Sequence, residues 1–119
     1  MRPTIHRFKA LSDPNRVRIL MMLTVEPLCV CEIVEILGLA TSTVSKHLSI
    51  LRQAGFIQDE KEGRWVNYQL VSGAETTAMD GLVAQLQKEL ENDPQIQADR
   101  QRVQTSDRYE LCAVKPPPS

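Results

Sequence analysis

The sequence is poor in aromatic side chains: Phe, Tyr and Trp make up 4% of its 119 residues. Its core must therefore be aliphatic. Leu, Ile, Val, Met and Ala supply it, which favours helices over an all-β sandwich. No stretch approaches the roughly 20 apolar residues of a membrane span. No apolar run near the N-terminus reads as a secretory signal. A cytoplasmic protein with no membrane partner is expected. Cysteine is sparse, with only Cys29, Cys31 and Cys112. In a reducing compartment these are thiols available as ligands or redox sensors, and a disulfide framework is excluded. Paired carboxylates, a nucleophile–base set and a phosphate-cradling glycine loop are all missing, which argues against an enzyme. There is no internal repeat, and low complexity is confined to Pro116-Pro117-Pro118-Ser119.

What is present suits one small soluble domain, with 42% hydrophobic and 24% charged residues. The net charge of −1 conceals an uneven distribution. Residues 1–20 carry Arg2, Arg7, Lys9, Arg16 and Arg18 against Asp13 alone, whereas residues 75–110 carry eight acids against four bases. Residues 41–68 hold Lys46, Arg52, Lys61 and Arg64 against Asp59, Glu60 and Glu62. A basic front and an acidic back suit a protein that lays one face on phosphate.

Periodicity sets the element order. Ile5 to Leu11 reads as a short helix. Ser12-Asp13-Pro14 then supplies a cap and a proline at the first helical position, and Val17, Leu20, Met21 and Leu23 form the next apolar stripe. Pro27 breaks that helix. Ile33, Val34 and Leu37 share the face of a third helix, which Gly38 stops. After Leu39-Ala40, Thr41 or Ser42 is placed to cap a fourth helix that runs to Ala54, with Val44, Leu48 and Leu51 inward. Beyond Gly55 the period changes to two. Strands are expected over 56–60 and 64–70, with Glu62-Gly63 at the hairpin tip and Val66, Tyr68 and Leu70 on one face. A last long helix is expected over 74–91, with Met79, Leu82, Val83, Leu86 and Leu90 along one side in a coiled-coil-like stripe. Asn92-Asp93-Pro94 breaks it, and a polar segment leads to the tail. The fold class is thus mostly α with a small β-hairpin. Two helices joined by a short glycine-containing turn and followed by a hairpin make a winged helix-turn-helix.

The fourth helix carries the signature of a DNA reader. Its outward positions are Ser42, Thr43, Ser45, Lys46 and Ser49, short donors and acceptors plus one long cation in the N-terminal half. Serine and threonine are mediocre helix formers, so their density here asks for a reason. A recognition helix supplies one, because its N-terminal residues reach base edges in the major groove. Lys61 and Arg64 flank the hairpin tip, where a wing meets the backbone or minor groove, and Arg16, Arg18 and Arg52 are candidates for phosphate. The alternative is a helical core decorated with solvated Ser and Lys. His47 lies beside the buried stripe and reads as a packing or backbone-bonding residue, and His6 as a surface residue.

Cys29 and Cys31 stand at the start of the third helix. Residues two apart on a helix point about 200° apart, so two such sulfurs cannot share an ion without distorting the first turn. A helix N-terminus favours thiolate, and thiolates select soft ions. The plain alternative for the pair is two small buried hydrophobes.

Leu28-Cys29-Val30-Cys31-Glu32-Ile33, Ser45-Lys46-His47-Leu48, Leu51-Arg52-Gln53-Ala54-Gly55 and Glu62-Gly63-Arg64-Trp65-Val66-Asn67-Tyr68 together resemble the ArsR/SmtB family of metal-responsive repressors, over about residues 5–90. The resemblance implies a homodimer built by the first and last helices, operator DNA as partner, repression of a metal-resistance operon and release when the inducer binds. It also sorts the inducers. Arsenic-responsive members place a third cysteine three residues after the second, where this chain has Val34. Cadmium- and lead-responsive members add cysteines from an N-terminal extension, and this chain has none before Cys29. Members that bind zinc on the last helix use Asp and His pairs, but residues 74–91 hold Asp80 and no His. As(III) or Sb(III) on Cys29 and Cys31, with Cys112 as third ligand, is therefore expected. Cd, Pb or Zn on the same thiols, a thiol-redox switch pairing Cys29 or Cys31 with Cys112, and a winged-helix protein-interaction scaffold are the competing readings. Cys112 is otherwise an incidental residue near the tail. The chain divides into a DNA-binding and dimerisation domain over 1–92 and a C-terminal extension over 93–119.

Overall fold

Local signals in the chain place most of the helices. In a computed structural model, residues 1–71 and 77–106 are described, residues 77–79 by backbone alone. Met79's side chain, Cys112 and the Pro116–Ser119 tail therefore lie outside the described residues. Helix α1 spans Arg2–Ala10 and α2 spans Pro14–Leu23. Asp13 caps α2 as expected: its carboxylate accepts from the Asn15 N–H at 2.8 Å, with Pro14 opening the first turn. Helix α3 covers Val30–Leu37 and ends on Gly38, whose φ of 71° is the left-handed stop that a side chain resists. Helix α4 covers Thr41–Gln53. Neither Thr41 nor Ser42 caps it: the cap position is Ala40, and no side chain bonds the first turn.

The wing differs from the expected hairpin in two ways. Its strands, β2 (Ile57–Glu62) and β3 (Trp65–Leu70), meet around a Gly63-Arg64 tip with Gly63 at φ 61°. The glycine that tolerates positive φ sits inside the turn, which moves the tip one residue on from the expected Glu62-Gly63. The second difference is a third strand. Leu28–Cys29 forms β1, antiparallel to β3, with Leu28 opposite Tyr68 and Cys29 opposite Asn67, and the sheet order is β1-β3-β2. Two residues are too few to show an alternation.

Helix α5 runs Thr77–Leu90. The segment after it is helical too: α6 spans Pro94–Thr105, and Asp93 caps it by accepting from Gln95 and Ile96 N–H groups at 2.9 and 3.1 Å. Asn92-Asp93-Pro94 thus ends one helix and starts another. Ile96 and Val103 of α6 join Ile19, Leu20 and Met21 of α2, Ile33 of α3 and Val44, Leu48 and Leu51 of α4 in a single core. Burying each of these aliphatic side chains contributes about 1.5–3 kcal/mol. Val83 belongs to the same core, with Leu82, Leu86 and Leu90 half-buried against it. No helix among the described residues is long and apolar enough to cross a membrane.

Candidate nucleic-acid interface and thiol site

The polar surface of α4 follows from which face the helix buries. Val44, Leu48 and Leu51 are fully buried, which turns Ser42, Thr43, Ser45 and Lys46 outward as exposed side chains and leaves Ser49 half-buried. With no side chain capping its first turn, α4 also presents N–H groups at its exposed end. His47 is half-buried and bonds to a side chain rather than to the backbone. It turns toward α2, where its Nδ1 lies 3.3 Å from Arg16 Nη1.

The arginines of α2 correct their sequence reading. Arg16 donates to Ala10 O (2.7 Å) and Lys9 O (3.2 Å), so it ties α1 to α2 and α4. Arg18 forms a two-pronged pair with Asp99 of α6, at 2.8 and 2.9 Å. That hydrogen bond raises the Arg18 pKa above its ordinary value, outweighing the lowering by burial. Asp99 is 1% exposed, so this pair is a buried clamp between α2 and α6. Both arginines are spent on the fold rather than on phosphate. Arg52 keeps an exposed pair with Asp59 at 3.3 Å, the kind that is worth at most about 1 kcal/mol. Lys61 and Arg64 are exposed at the wing. By strand alternation Glu60 and Glu62 share the face of Asn67 and Trp65, and Lys61 lies on the opposite face. Burial, then Asp59, raises the Tyr68 phenol above its ordinary value, so the base of the wing stays neutral there.

The thiols sit at the junction of wing and support helix. Cys29 is both the last residue of β1 and the cap of α3, in extended conformation at φ −85°, ψ 163°. It is 3% exposed, whereas Cys31, inside the first turn, is partly exposed. The turn is held by a capping box in which cysteine stands where serine or threonine is usual. The Cys29 side chain takes the Glu32 N–H, and the Cys29 N–H donates to Glu32 Oε1 at 3.1 Å. Glu32, 4% exposed, also accepts from Ser106 Oγ at 2.9 Å through Oε2. Sequence reasoning passed over Glu32, although Cys29 and Glu32 have the spacing of such a box. It also passed over Trp65, which lines a shallow cleft of about 200 Å³ with Cys29, Val30, Cys31, Arg64 and Val66. Among the described residues no three His, Cys, Asp or Glu side chains gather as a metal site. The donor set at hand is two soft thiols, which fits a thiophilic ion and leaves a third donor to be found.

The family model described as bacterial regulatory protein, arsR family, matches residues 13–59, from the α2 cap into the wing. The solved structure of reduced HlyU from Vibrio cholerae superposes with a TM-score of 0.65 at 31% identity, covering 74% of this chain and 88% of that one. The chain belongs to the arsR family of bacterial regulatory proteins. That is a family of transcriptional regulators, not of enzymes. Among curated relatives, the arsenic resistance transcriptional regulator ArsR1 of Pseudomonas putida is 42% identical over 64 residues, 53% of this chain and 50% of that protein. The cadmium resistance transcriptional regulatory protein CadC homolog of Staphylococcus aureus is 45% identical over 64 residues, 53% of each chain. The match thus spans about half the length of these two relatives.

Proposed function

We propose that this protein is a transcriptional repressor that binds operator DNA as a homodimer and releases it when As(III) or Sb(III) is held by the thiolates of Cys29 and Cys31, with Cys112 as third ligand. The observation that carries this reading is the packing of two helices: α4, which exposes Ser42, Thr43, Ser45 and Lys46, and α3 against it, which starts at the thiol pair. Ser49, Arg52, Lys61 and Arg64 extend the DNA face. A trivalent arsenic or antimony centre takes three thiolates, and Cys29 and Cys31 are two candidates at one helix start. Ser106 sets the last described residue against Glu32, beside the Cys29 amide. Cys112 lies six residues further along, at most about 20 Å of chain. The same chain can therefore supply the third sulfur.

Dimerisation draws on α1 and α5. Ile5 and Phe8, 44% and 57% exposed, lie three apart on α1, and Leu82, Leu86 and Leu90 are half-buried on α5, with Met79 and the buried Val83 in the same stripe. Exposed apolar residues on α1 and partly exposed ones on α5 suit an interface between copies.

A second reading, a Cd(II)-responsive repressor using the same thiols, is favoured by the 45% identity to the cadmium regulator. Titrating As(III), Sb(III), Cd(II) and Zn(II) against a preformed complex with labelled operator DNA, followed by fluorescence anisotropy, separates the two. Release at the lowest concentration by As(III) or Sb(III) supports the first reading. Release by Cd(II) alone transfers it to the second.

A further inference from the structure

We propose that the inducer site extends onto the wing: Trp65 is the wall of the thiol cleft, and the hairpin that carries Arg64 is the element the bound inducer displaces. This rests on the reading of Cys29 and Cys31 as the inducer's ligands. Three observations lead to it.

The first is connectivity. Cys29 is a residue of the wing sheet, opposite Asn67 of β3. From Asn67 the strand runs through Val66 and Trp65 to Arg64 at the tip, three residues or about 10 Å along an extended chain. A displacement of Cys29 is therefore passed to β3 through strand pairing. The second is burial. Trp65 sits next to the hairpin turn yet is 8% exposed, and it is not part of the continuous apolar core. It lines the same cleft as both cysteines and Arg64. The third is the distribution of restraint. Bringing both sulfurs onto one ion requires Cys29, Cys31 or both to move. Movement into α3 is opposed by the capping box and by Ser106, which both act through the buried Glu32 carboxylate. Arg102 adds a bond to Ile36 O at 3.3 Å at the far end of α3. From Asn67 to the tip the outer wall is a two-stranded ribbon, exposed on one strand from Gln58 to Glu62; Asn67 Nδ2 donates to Glu62 Oε2 at 2.7 Å within the ribbon, and the exposed Arg52–Asp59 pair ties it to α4. An occupant bound to the thiols meets the indole on that wall, and the ribbon yields more readily than the braced helix.

Trp65 is the only tryptophan, so its emission reports the wall directly. The test titrates arsenite into the full-length protein bound to a labelled duplex that the protein itself has selected from random sequence. Three signals are read together: sulfur-to-arsenic absorbance, Trp65 emission and DNA anisotropy. Trp65 emission is expected to change in step with the absorbance. In Trp65→Ala the sulfur-to-arsenic absorbance should still develop, while the arsenite needed for DNA release, relative to that which half-develops the absorbance of the same variant, rises about tenfold over wild type, within the usual range of coupling between sites. Trp65→Phe should restore most of the coupling. If Trp65→Ala fails to fold, Val66→Ala tests the same wall and should shift release in the same direction. Absorbance that develops with unchanged Trp65 emission, or release from the Trp65→Ala or Val66→Ala complex at the wild-type ratio of release to absorbance, overturns the inference and leaves the thiol reading standing. Absence of any sulfur-to-arsenic absorbance overturns both.

Discussion

Helices α3 and α4 are neighbours joined by three residues, yet their first turns are built in opposite ways. The start of α4 has no side-chain cap, and its first three side chains are all exposed. The start of α3 is closed by a capping box, a strand pairing and a hydroxyl from the end of α6. An open helix end offers N–H groups and short polar side chains to an outside partner. A closed one holds its hydrogen bonds internally, so a ligand that pulls on Cys29 passes its displacement to the strand paired with it. The first suits the proposed contact surface and the second the fixed side of the proposed switch.

Three substitutions break or sharpen this contrast, taken from the largest effect downward. Leu48→Ala removes a fully buried side chain from the inner face of α4 and should cost about 2–5 kcal/mol of stability, read as a lower denaturant midpoint. Asp99→Ala leaves Arg18 without its partner between α2 and α6, and should cost about 3 kcal/mol by the same measurement. Lys46→Ala lies on the open side. It should leave the midpoint within about 0.5 kcal/mol and weaken operator binding by about 1–3 kcal/mol if it reads a base, or lower the salt slope by about one if it meets a phosphate. An unchanged operator affinity would take the reader role away from α4.

The contrast also separates what could be read in the sequence from what could not. Helix α4 and its exposed polar face were legible because their evidence is local: a stripe at 3.6-residue spacing, a stopping glycine at position 38 and a run of small polar residues on the other face. The start of α3 depends on distant partners. Strand β1 exists only because β3, thirty-eight residues later, pairs with it, and the Arg18–Asp99 clamp joins residues 81 apart. Helix α6 left only a weak apolar signal, since Ile96 and Val103 are its sole large buried aliphatics. Its start was nevertheless signalled by the Asp-Pro pair that opens α2, repeated at Asp93-Pro94. Read first as a breaker, that pair is also a cap. The two α2 arginines looked like phosphate ligands because charge alone does not show that Asp99 and the carbonyls of Lys9 and Ala10 already hold them.

The most direct measurement compares wild type with Cys29→Ser and Cys31→Ser in one experiment: arsenite titrated into each protein on preformed operator complexes, with anisotropy as readout. All three proteins should bind DNA within about threefold of one another, a spread of under 1 kcal/mol. Only wild type should release it. Release from both serine variants at wild-type arsenite would contradict the assignment of Cys29 and Cys31 as the switch.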